Sequence, residues 1–241
     1  MIFESNYKID IGDITIDNKV TNKAILKYME NTACRHSDEV GYGILGIPST
    51  KRVWLLLDWK FKILQRLKYG EEINIKTWSK GMEKCYAYRD FEVYNKQGKI
   101  VAIASSKWVL MDAENLKIIK ADETIRSGYK EEIERKVFEK EDIDRIKEPE
   151  QYKKEITYRI RKTDIDVNGH VHNLNYLDIA YEILPYSLQK CQQFENVRIT
   201  YKKEIKPNSE IRIKYTKEDN KEIIVIKDIE DIHVHAIIEL W

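Results

Sequence analysis

Polar side chains that can do chemistry are concentrated in one stretch of the chain, residues 163–176. This stretch reads TDIDVNGHVHNLNY and holds two Asp, three Asn and two His in 14 residues. Histidine exchanges protons near neutral pH, carboxylates accept protons, and amides donate hydrogen bonds to a developing oxyanion. Such a dense polar run interrupts a core unless its groups are hydrogen-bonded or functional. The residue types therefore predict either a capped turn or an acid–base site.

Local signals place this stretch at the start of a helix. Asn168 and Gly169 form a typical turn pair. Asn173 is a good N-cap, so the sequence predicts a helix from there to Pro185. The polar side chains are thus expected on a loop beside a helix N-terminus, whose backbone N–H groups can also face an anion.

The N-terminal half supplies a longer helix followed by strands. Residues 22–36 carry apolar positions at three- and four-residue steps, and Thr21 or Asn22 can cap this helix. From Arg52 the period changes to two, which predicts a long strand with Trp54 and Leu56 on one face. The opposite face holds the regular apolar set: Val53, Leu55, Leu57, Trp59, Phe61 and Ile63. Further strands are expected near residues 71–78, 84–94 and 99–111.

The pattern of the first half repeats in the second. Residues 69–78 resemble residues 207–216 at an offset of 138, and residues 20–26 match residues 171–177 at an offset of 151. The matches follow the same order in both halves, which indicates an internal duplication. Each unit then consists of one helix and about five antiparallel strands, an α+β arrangement in which a sheet wraps a helix.

A highly charged segment separates the two units. Residues 130–150 carry 15 charged side chains in 21 positions and keep only weak helical spacing, which is typical of a solvated, partly helical linker. We therefore expect an N-terminal unit over residues 1–125, a linker over 126–151 and a C-terminal unit over 152–241.

The two copies differ at the polar stretch. Asp166 corresponds to Thr15, and the run from Asn168 to His170 corresponds to the run from Asp17 to Lys19. The turn is kept, whereas the Asp and His are absent from the first copy. A purely structural cap does not explain this difference, so the sequence predicts one working site per chain, in the second unit.

The polar stretch closely resembles a family signature. Residues 164–176 follow the D-L-D-V-N-x-H-V-N-N-x-x-Y pattern of the acyl-ACP thioesterases, the plant enzymes that terminate fatty-acid chains and their bacterial relatives. Residues 200–205, TYKKEI, look like the family's E-Y-R-R-E-C element, and the similarity spans nearly the whole chain. The resemblance implies a double hot-dog fold, with two sheets each wrapped around a long helix. It also implies hydrolysis of fatty acyl-ACP to free fatty acid, which ends chain elongation.

Carried over position by position, the resemblance implies four catalytic residues: Asp166, Asn168, His170 and Glu204. The Asn168 amide can donate to the thioester carbonyl oxygen, and His170 can orient water or return a proton. Glu204, expected on a strand after the loop, is a candidate general base. Asp166 either orients Asn168 or His170 or is itself the nucleophile, and both roles stay open at this point.

Cysteine and metal chemistry are not expected. Many plant members have Cys directly after the motif's Glu, but this chain has Ile205 there, and its cysteines (Cys34, Cys85 and Cys191) lie elsewhere. His172, where plant proteins usually have Asn, is interpreted as a variation beside the site. The two H-x-H pairs, 170/172 and 233/235, lack a Cys or carboxylate at metal-site spacing, so we predict no metal ion and no cofactor.

The first unit, without the catalytic set, is expected to shape the acyl pocket. The substrate-binding candidates are Trp54, Leu56, Met82, Tyr86 and Asn173. Acyl carrier protein is the expected partner, and the chain is expected to be a monomer or homodimer. Two alternatives stay open: an acyl-CoA thioesterase on the same fold, and a non-catalytic acyl-binding protein. The four polar groups favour an enzyme, because a simple binder has no use for them at a tunnel mouth.

Composition argues against several other classes of protein. The chain has 42 Lys and Arg against 41 Asp and Glu, whereas a nucleic-acid binder normally shows a basic surplus. No stretch approaches the ~20 apolar residues of a membrane span. Three scattered cysteines suit a reducing compartment, so we expect a cytoplasmic protein.

Overall fold

The computed structural model describes residues 1–139, 143, 145–191 and 194–241. Its strands are β1 Phe3–Lys8, β2 Arg52–Ile63, β3 Glu72–Glu83, β4 Tyr86–Asn95, β5 Ile100–Asp112, β6 Lys117–Ile119, β7 Lys154–Arg159, β8 Asn196–Tyr201, β9 Glu210–Glu218, β10 Lys221–Asp228 and β11 Val234–Leu240. Its helices are α1 Asn22–Val40, α2 Ile47–Thr50, α3 Glu123–Tyr129, α4 Asn175–Tyr181 and α5 Tyr186–Cys191.

The strands form one sheet with a pseudo-two-fold arrangement. Its order is β1-β3-β4-β5-β2-β8-β11-β10-β9-β7, with β6 added to β5, and every pairing is antiparallel. β2 and β8 pair at the centre, and the strands on either side follow in equivalent order. α1 contacts β1 and β3 of the first half, and α4 contacts β10 and β11 of the second. The predicted α+β double hot-dog is confirmed.

The long helix α1 begins as predicted and ends later. The Thr21 hydroxyl accepts a hydrogen bond of 3.0 Å from the Ala24 N–H, which makes Thr21 the N-cap. α1 extends four residues past the predicted end at His36 and stops at Val40. Gly41 follows with φ +86°, a left-handed conformation that glycine adopts at little cost.

The face prediction for β2 is wrong at Leu56 because the strand contains a bulge. Leu56 pairs with Trp108 and Asp58 with Lys107, so Leu57 is an extra residue that reverses the alternation. Leu56 consequently shares a face with Trp59 and is 6% exposed in the main core, whereas Leu55 is 37% exposed.

Most described residues of the charged segment are exposed or half-buried, as expected of a solvated segment, but the expected partial helix is absent from residues 130–139. Residues 130–139 contain no helix, because their backbone bonds to the sheet: Glu132 N–H donates to the Ser79 carbonyl at 2.8 Å, and Val137 N–H to the Asp90 carboxylate at 3.2 Å. Ile146 packs with Ile223, Val225 and Ile237. Positions 140–142 and 144 lie outside the described residues.

α3 connects this segment to the first unit. Tyr129 at its end donates a hydrogen bond of 2.9 Å to the Ser37 hydroxyl on α1, although it lies beyond the unit boundary predicted at residue 125. Among the described helices, none combines the length and apolar character needed to cross a membrane.

Candidate active site

The polar stretch forms a tight loop closed by backbone hydrogen bonds. Ile165 and Val171 form an isolated bridge, and the Asp166 N–H donates to the His170 carbonyl at 2.9 Å. The Gly169 N–H donates to the Asp166 carbonyl at 3.0 Å, with Gly169 at φ +77°. These bonds hold the backbone from Asp166 to His170 in one compact turn, as predicted.

Within this loop Asp166 orients Asn168. Its carboxylate accepts the Asn168 N–H at 2.8 Å and the Asn168 side-chain amide at 3.4 Å. Asn168 is exposed, while Asp166 and His170 are half-buried. The amide and the imidazole are thus accessible to a ligand at the surface of the loop.

The first unit contains the same turn without the same chemistry. The Thr15 N–H donates to the Lys19 carbonyl at 2.8 Å, and the Asn18 N–H donates to the Thr15 carbonyl at 3.0 Å. Asn18 occupies the left-handed position at φ +54° that Gly169 takes in the second unit. Because Thr15 and Lys19 support this backbone, the fold does not require an Asp and a His at positions 166 and 170.

Glu204 lies beside the loop, but not on a strand. β8 ends at Tyr201, and Glu204 is exposed in the segment that follows. The Val171 N–H donates to the Ile205 carbonyl at 3.0 Å, and the Ile205 N–H donates to the Tyr176 hydroxyl at 3.1 Å. Burial raises the pKa of Tyr176, and the charges of Glu204 and Asp166 raise it further. Glu204 is thus the sequence neighbour of Ile205, the residue that bonds to the end of the loop at Val171.

Asn173 is not the N-cap of the second helix. α4 begins at Asn175, and the His172 Nδ1 atom accepts the Leu174 N–H at 3.2 Å. The helix ends at Tyr181, short of Pro185. The N–H groups of Asn175 and Tyr176 donate to the carbonyls of His172 and Asn173, so the start of the helix offers fewer free donors than expected.

A fifth polar group, Glu30, reaches the loop from the first unit. The Asn173 side-chain amide faces the Glu30 carboxylate, and His172 Nε2 lies 3.7 Å from Glu30 Oε2. The Glu30 side chain is 13% exposed, and burial raises its pKa. Glu30 belongs to no motif. The one signal in the sequence was that a charged residue stands at a position of α1 where the helical spacing predicts an apolar one.

A mainly apolar cavity lies between α1 and the first half of the sheet. It encloses about 640 Å³ of empty space, open mouth included. The substrate-binding candidates Trp54 and Met82 line it, and Cys34 contributes from α1, one turn after Glu30. Leu56 packs in the main core and Tyr86 stacks under the Lys107 ammonium, so neither belongs to the lining.

A buried polar cluster forms one wall of this cavity. Arg89 lies 2.9 Å from His36 Nδ1 and donates to the Thr77 hydroxyl at 3.1 Å. Burial, together with the charge of Arg89, lowers the pKa of His36 to about 3, so this imidazole is neutral and accepts from the guanidinium. The other ring nitrogen of His36, Nε2, is buried and has no hydrogen-bond partner among the described residues.

Thiol and metal chemistry find no support in the site geometry. Burial raises the pKa of Cys34 to about 11, and neighbouring Glu30 adds to the shift, so the thiol is neutral near pH 7. Cys85 is half-buried in the first unit, and the Cys191 side chain lies outside the described part. Within the described residues, no three His, Cys, Asp or Glu side chains group as metal ligands.

Comparison with known families matches both units. A model described as the acyl-ACP thioesterase N-terminal domain matches residues 1–129, and one described as the C-terminal domain matches residues 146–237. The chain belongs to the acyl-ACP thioesterase family. The resemblance inferred from the loop signature is confirmed over nearly the whole sequence.

Named relatives of this thioesterase family are distant in sequence. The chain is 21% identical over 218 residues to oleoyl-acyl carrier protein thioesterase 1 of Arabidopsis thaliana, covering 84% of this chain and 60% of the relative. It is 22% identical over 219 residues to dodecanoyl-[acyl-carrier-protein] hydrolase of Cinnamomum camphora, covering 85% and 56%. The chain thus spans somewhat more than half the length of these chloroplastic relatives.

Solved acyl-ACP thioesterases share the fold. The enzyme from Bacteroides thetaiotaomicron superposes with a TM-score of 0.87 at 20% identity, covering 99% of this chain and 96% of that one. The 12:0-ACP thioesterase from Umbellularia californica gives a TM-score of 0.83 at 19% identity, with coverage of 99% and 96%. The double hot-dog architecture is therefore common to all three chains.

Proposed function

We propose that this chain hydrolyses the thioester of fatty acyl-ACP, releasing free fatty acid and ending chain elongation. The observation that carries the proposal is one loop that presents Asp166, Asn168 and His170 next to Glu204. The first unit repeats the loop's backbone but not its acid–base side chains. Membership of the acyl-ACP thioesterase family, across both units, supports the same activity.

In the proposed reaction each group has one role. The Asn168 amide, oriented by Asp166, donates a hydrogen bond to the thioester oxygen as negative charge develops there. Glu204 takes a proton from water while the water oxygen attacks the carbonyl carbon. The C–S bond then breaks, and protonated His170 gives its proton to the leaving thiolate. Transfer of the proton from Glu204 to His170 restores the starting state.

The acyl chain is proposed to occupy the cavity of the first unit. Trp54 and Met82 would contact it, and Cys34, which also lines the cavity, lies on α1 one turn after Glu30. An apolar pocket of this kind, with a few polar groups at one end, is typical of a ligand site.

The test is a hydrolysis assay with matched acyl-ACP and acyl-CoA substrates over a series of chain lengths. We expect release of free fatty acid from acyl-ACP, with a preferred length that also appears in the fatty-acid profile of cells expressing the protein. Faster hydrolysis of acyl-CoA than of acyl-ACP would assign the acyl-CoA alternative. Tight acyl-ACP binding without turnover would assign a non-catalytic binder. A cytoplasmic location and a monomeric or homodimeric state remain predictions from the sequence.

A further inference from the structure

The contact between Glu30 and Asn173 has a counterpart elsewhere in the molecule. Asn22 follows Val20 in the first unit as Asn173 follows Val171 in the second, at the same offset of 151. Asn22 directs its side-chain amide at the Tyr181 hydroxyl on α4, at 3.5 Å. By that offset, Tyr181 occupies the position on α4 that Glu30 occupies on α1. Each asparagine thus faces the helix of the other unit, and the two positions that they face are equivalent in the repeat.

The two equivalent positions hold different chemistry. Tyr181 is 7% exposed, and its neighbour Asn22 is fully buried and also donates to the Phe194 carbonyl at 3.1 Å. That contact belongs to the packed junction of the units. Glu30 instead meets the loop that carries the catalytic set, and Asp166 lies near enough to influence its ionisation.

A hydrogen-bond network fixes which atoms face Glu30. The His172 Nδ1 atom accepts the Leu174 N–H, so the proton of the neutral ring lies on Nε2, the atom that faces the Glu30 carboxylate. The Asn173 carbonyl accepts the Tyr201 hydroxyl at 2.9 Å, while its side-chain amide faces Glu30. His172 and Asn173 therefore both face α1 of the first unit at one carboxylate, that of Glu30.

We propose that Glu30 is a positioning residue that acts across the two units through Asn173 and His172. It holds the second unit's loop in register with α1, the helix whose Cys34, one turn after Glu30, lines the cavity. The expected effect on kcat rests on the proposed thioesterase function. The expected effect on the structure of the loop does not. Small misplacements of reacting groups cost large factors in rate, so the contact affects kcat more than KM.

The test compares Glu30→Ala, Glu30→Gln and the matched control Tyr181→Phe in the full chain. We expect Glu30→Ala to lower kcat for acyl-ACP by about 100-fold with KM changed less than about threefold. Glu30→Gln should recover most of kcat, because its amide oxygen still accepts the Asn173 hydrogen bond. Tyr181→Phe should keep kcat and lower Tm by about 2–4 °C, because it removes one buried hydroxyl.

Amide hydrogen exchange supplies a readout that does not depend on turnover. In Glu30→Ala the amides of residues 166–173 should exchange faster than in the wild type, and in Glu30→Gln and Tyr181→Phe they should not. Unchanged kcat and unchanged loop exchange in Glu30→Ala would overturn the proposal. A Gln variant as inactive as the Ala variant would also overturn it, because the carboxylate would then act in the chemistry. If the wild type hydrolyses no thioester but the loop amides of Glu30→Ala still exchange faster, the proposed function is wrong and the positioning role is supported.

Discussion

The Asp166 carboxylate accepts two hydrogen bonds from Asn168, one from the backbone N–H at 2.8 Å and one from the side-chain amide at 3.4 Å. Each carboxylate oxygen accepts one of these bonds, so both oxygens are engaged within the loop, and the second N–H of the amide is left for a ligand. Of the two roles that the sequence left open for Asp166, this geometry favours orientation of Asn168 over nucleophilic attack.

Substitution at position 166 separates the two roles. Asp166→Asn keeps a carbonyl oxygen that can accept the Asn168 N–H, so we expect it to retain about tenfold more kcat than Asp166→Ala. A nucleophilic carboxylate would be lost equally in both variants. Single-turnover hydrolysis in ¹⁸O-labelled water gives a second check: label found in the Asp166 side chain would establish an acyl-enzyme and contradict the orienting role.

The loop side chains should matter for turnover and not for folding. Asn168→Ala and His170→Ala are expected to lower kcat by about 100-fold or more, since they remove charge stabilisation and proton transfer. The first unit offers matched controls, Asp17→Ala and Lys19→Ala, at the corresponding turn positions, and these should keep wild-type kcat. Near-normal turnover in both loop variants, with thermal unfolding unchanged, would refute the site assignment.

Much of the fold was predictable because local signals and the global repeat agree. The structure contains the predicted cap at Thr21. The sequence offsets of 138 and 151 relate segments that occupy equivalent places in the two halves of the fold. The prediction failed at Leu56, because a bulge leaves no mark in a continuous apolar run. It also failed at residues 130–139, where bonds to the sheet outweigh weak helical spacing.

The candidate site was predictable where its residues are neighbours in sequence. Asp166, Asn168 and His170 share one turn, and their types indicate their chemistry. Glu30 was missed because its partner Asn173 is far away in the sequence, and a lone carboxylate in a helix is usually solvated. Contacts between the two units are set by the docking of α1 against the second loop, which no local pattern encodes.

Removing the thiols tests the absence of a cysteine nucleophile. A variant with Cys34, Cys85 and Cys191 all replaced by Ser should keep substantial kcat if it folds. Because the pKa of Cys34 is raised to about 11, its thiol stays protonated at neutral pH, and iodoacetamide should react with it faster only as the pH approaches that value. Complete loss of activity in a folded triple variant would restore a cysteine mechanism.

The size of the cavity should set the preferred acyl length. Met82→Trp adds bulk to its lining, so the free fatty acids released by expressing cells should shift to shorter chains. Tyr86→Trp, on the neighbouring strand but outside the lining, is the matched control and should leave the profile unchanged. Identical profiles from Met82→Trp and wild type would place the acyl chain elsewhere.

The last prediction concerns the carrier. Acyl carrier proteins are strongly acidic, so a hydrolase that acts on them needs a local basic surface even with a net charge near zero. Lys202 and Lys203 directly precede Glu204 and are both exposed. β8 ends at Tyr201, so both lysines and Glu204 lie in the segment that follows the strand. The exposure of both lysines beside Glu204, the proposed general base, makes them the first candidates for carrier contact.

Charge reversal at these lysines should separate carrier binding from chemistry. We expect Lys202→Glu with Lys203→Glu to raise KM for acyl-ACP by about tenfold and to lower kcat less, because the carrier is repelled before the thioester reaches the loop. Rising salt should lower kcat/KM for acyl-ACP more than for the matching acyl-CoA, since screening weakens attraction between extended charged surfaces most. Lys153→Glu with Lys154→Glu, an exposed pair at the start of β7, is the control and should leave KM near the wild-type value. The same salt response on both carriers, with KM unchanged in the Lys202 and Lys203 variant, would mean that the protein recognises the acyl chain and its pantetheine arm and not the carrier surface.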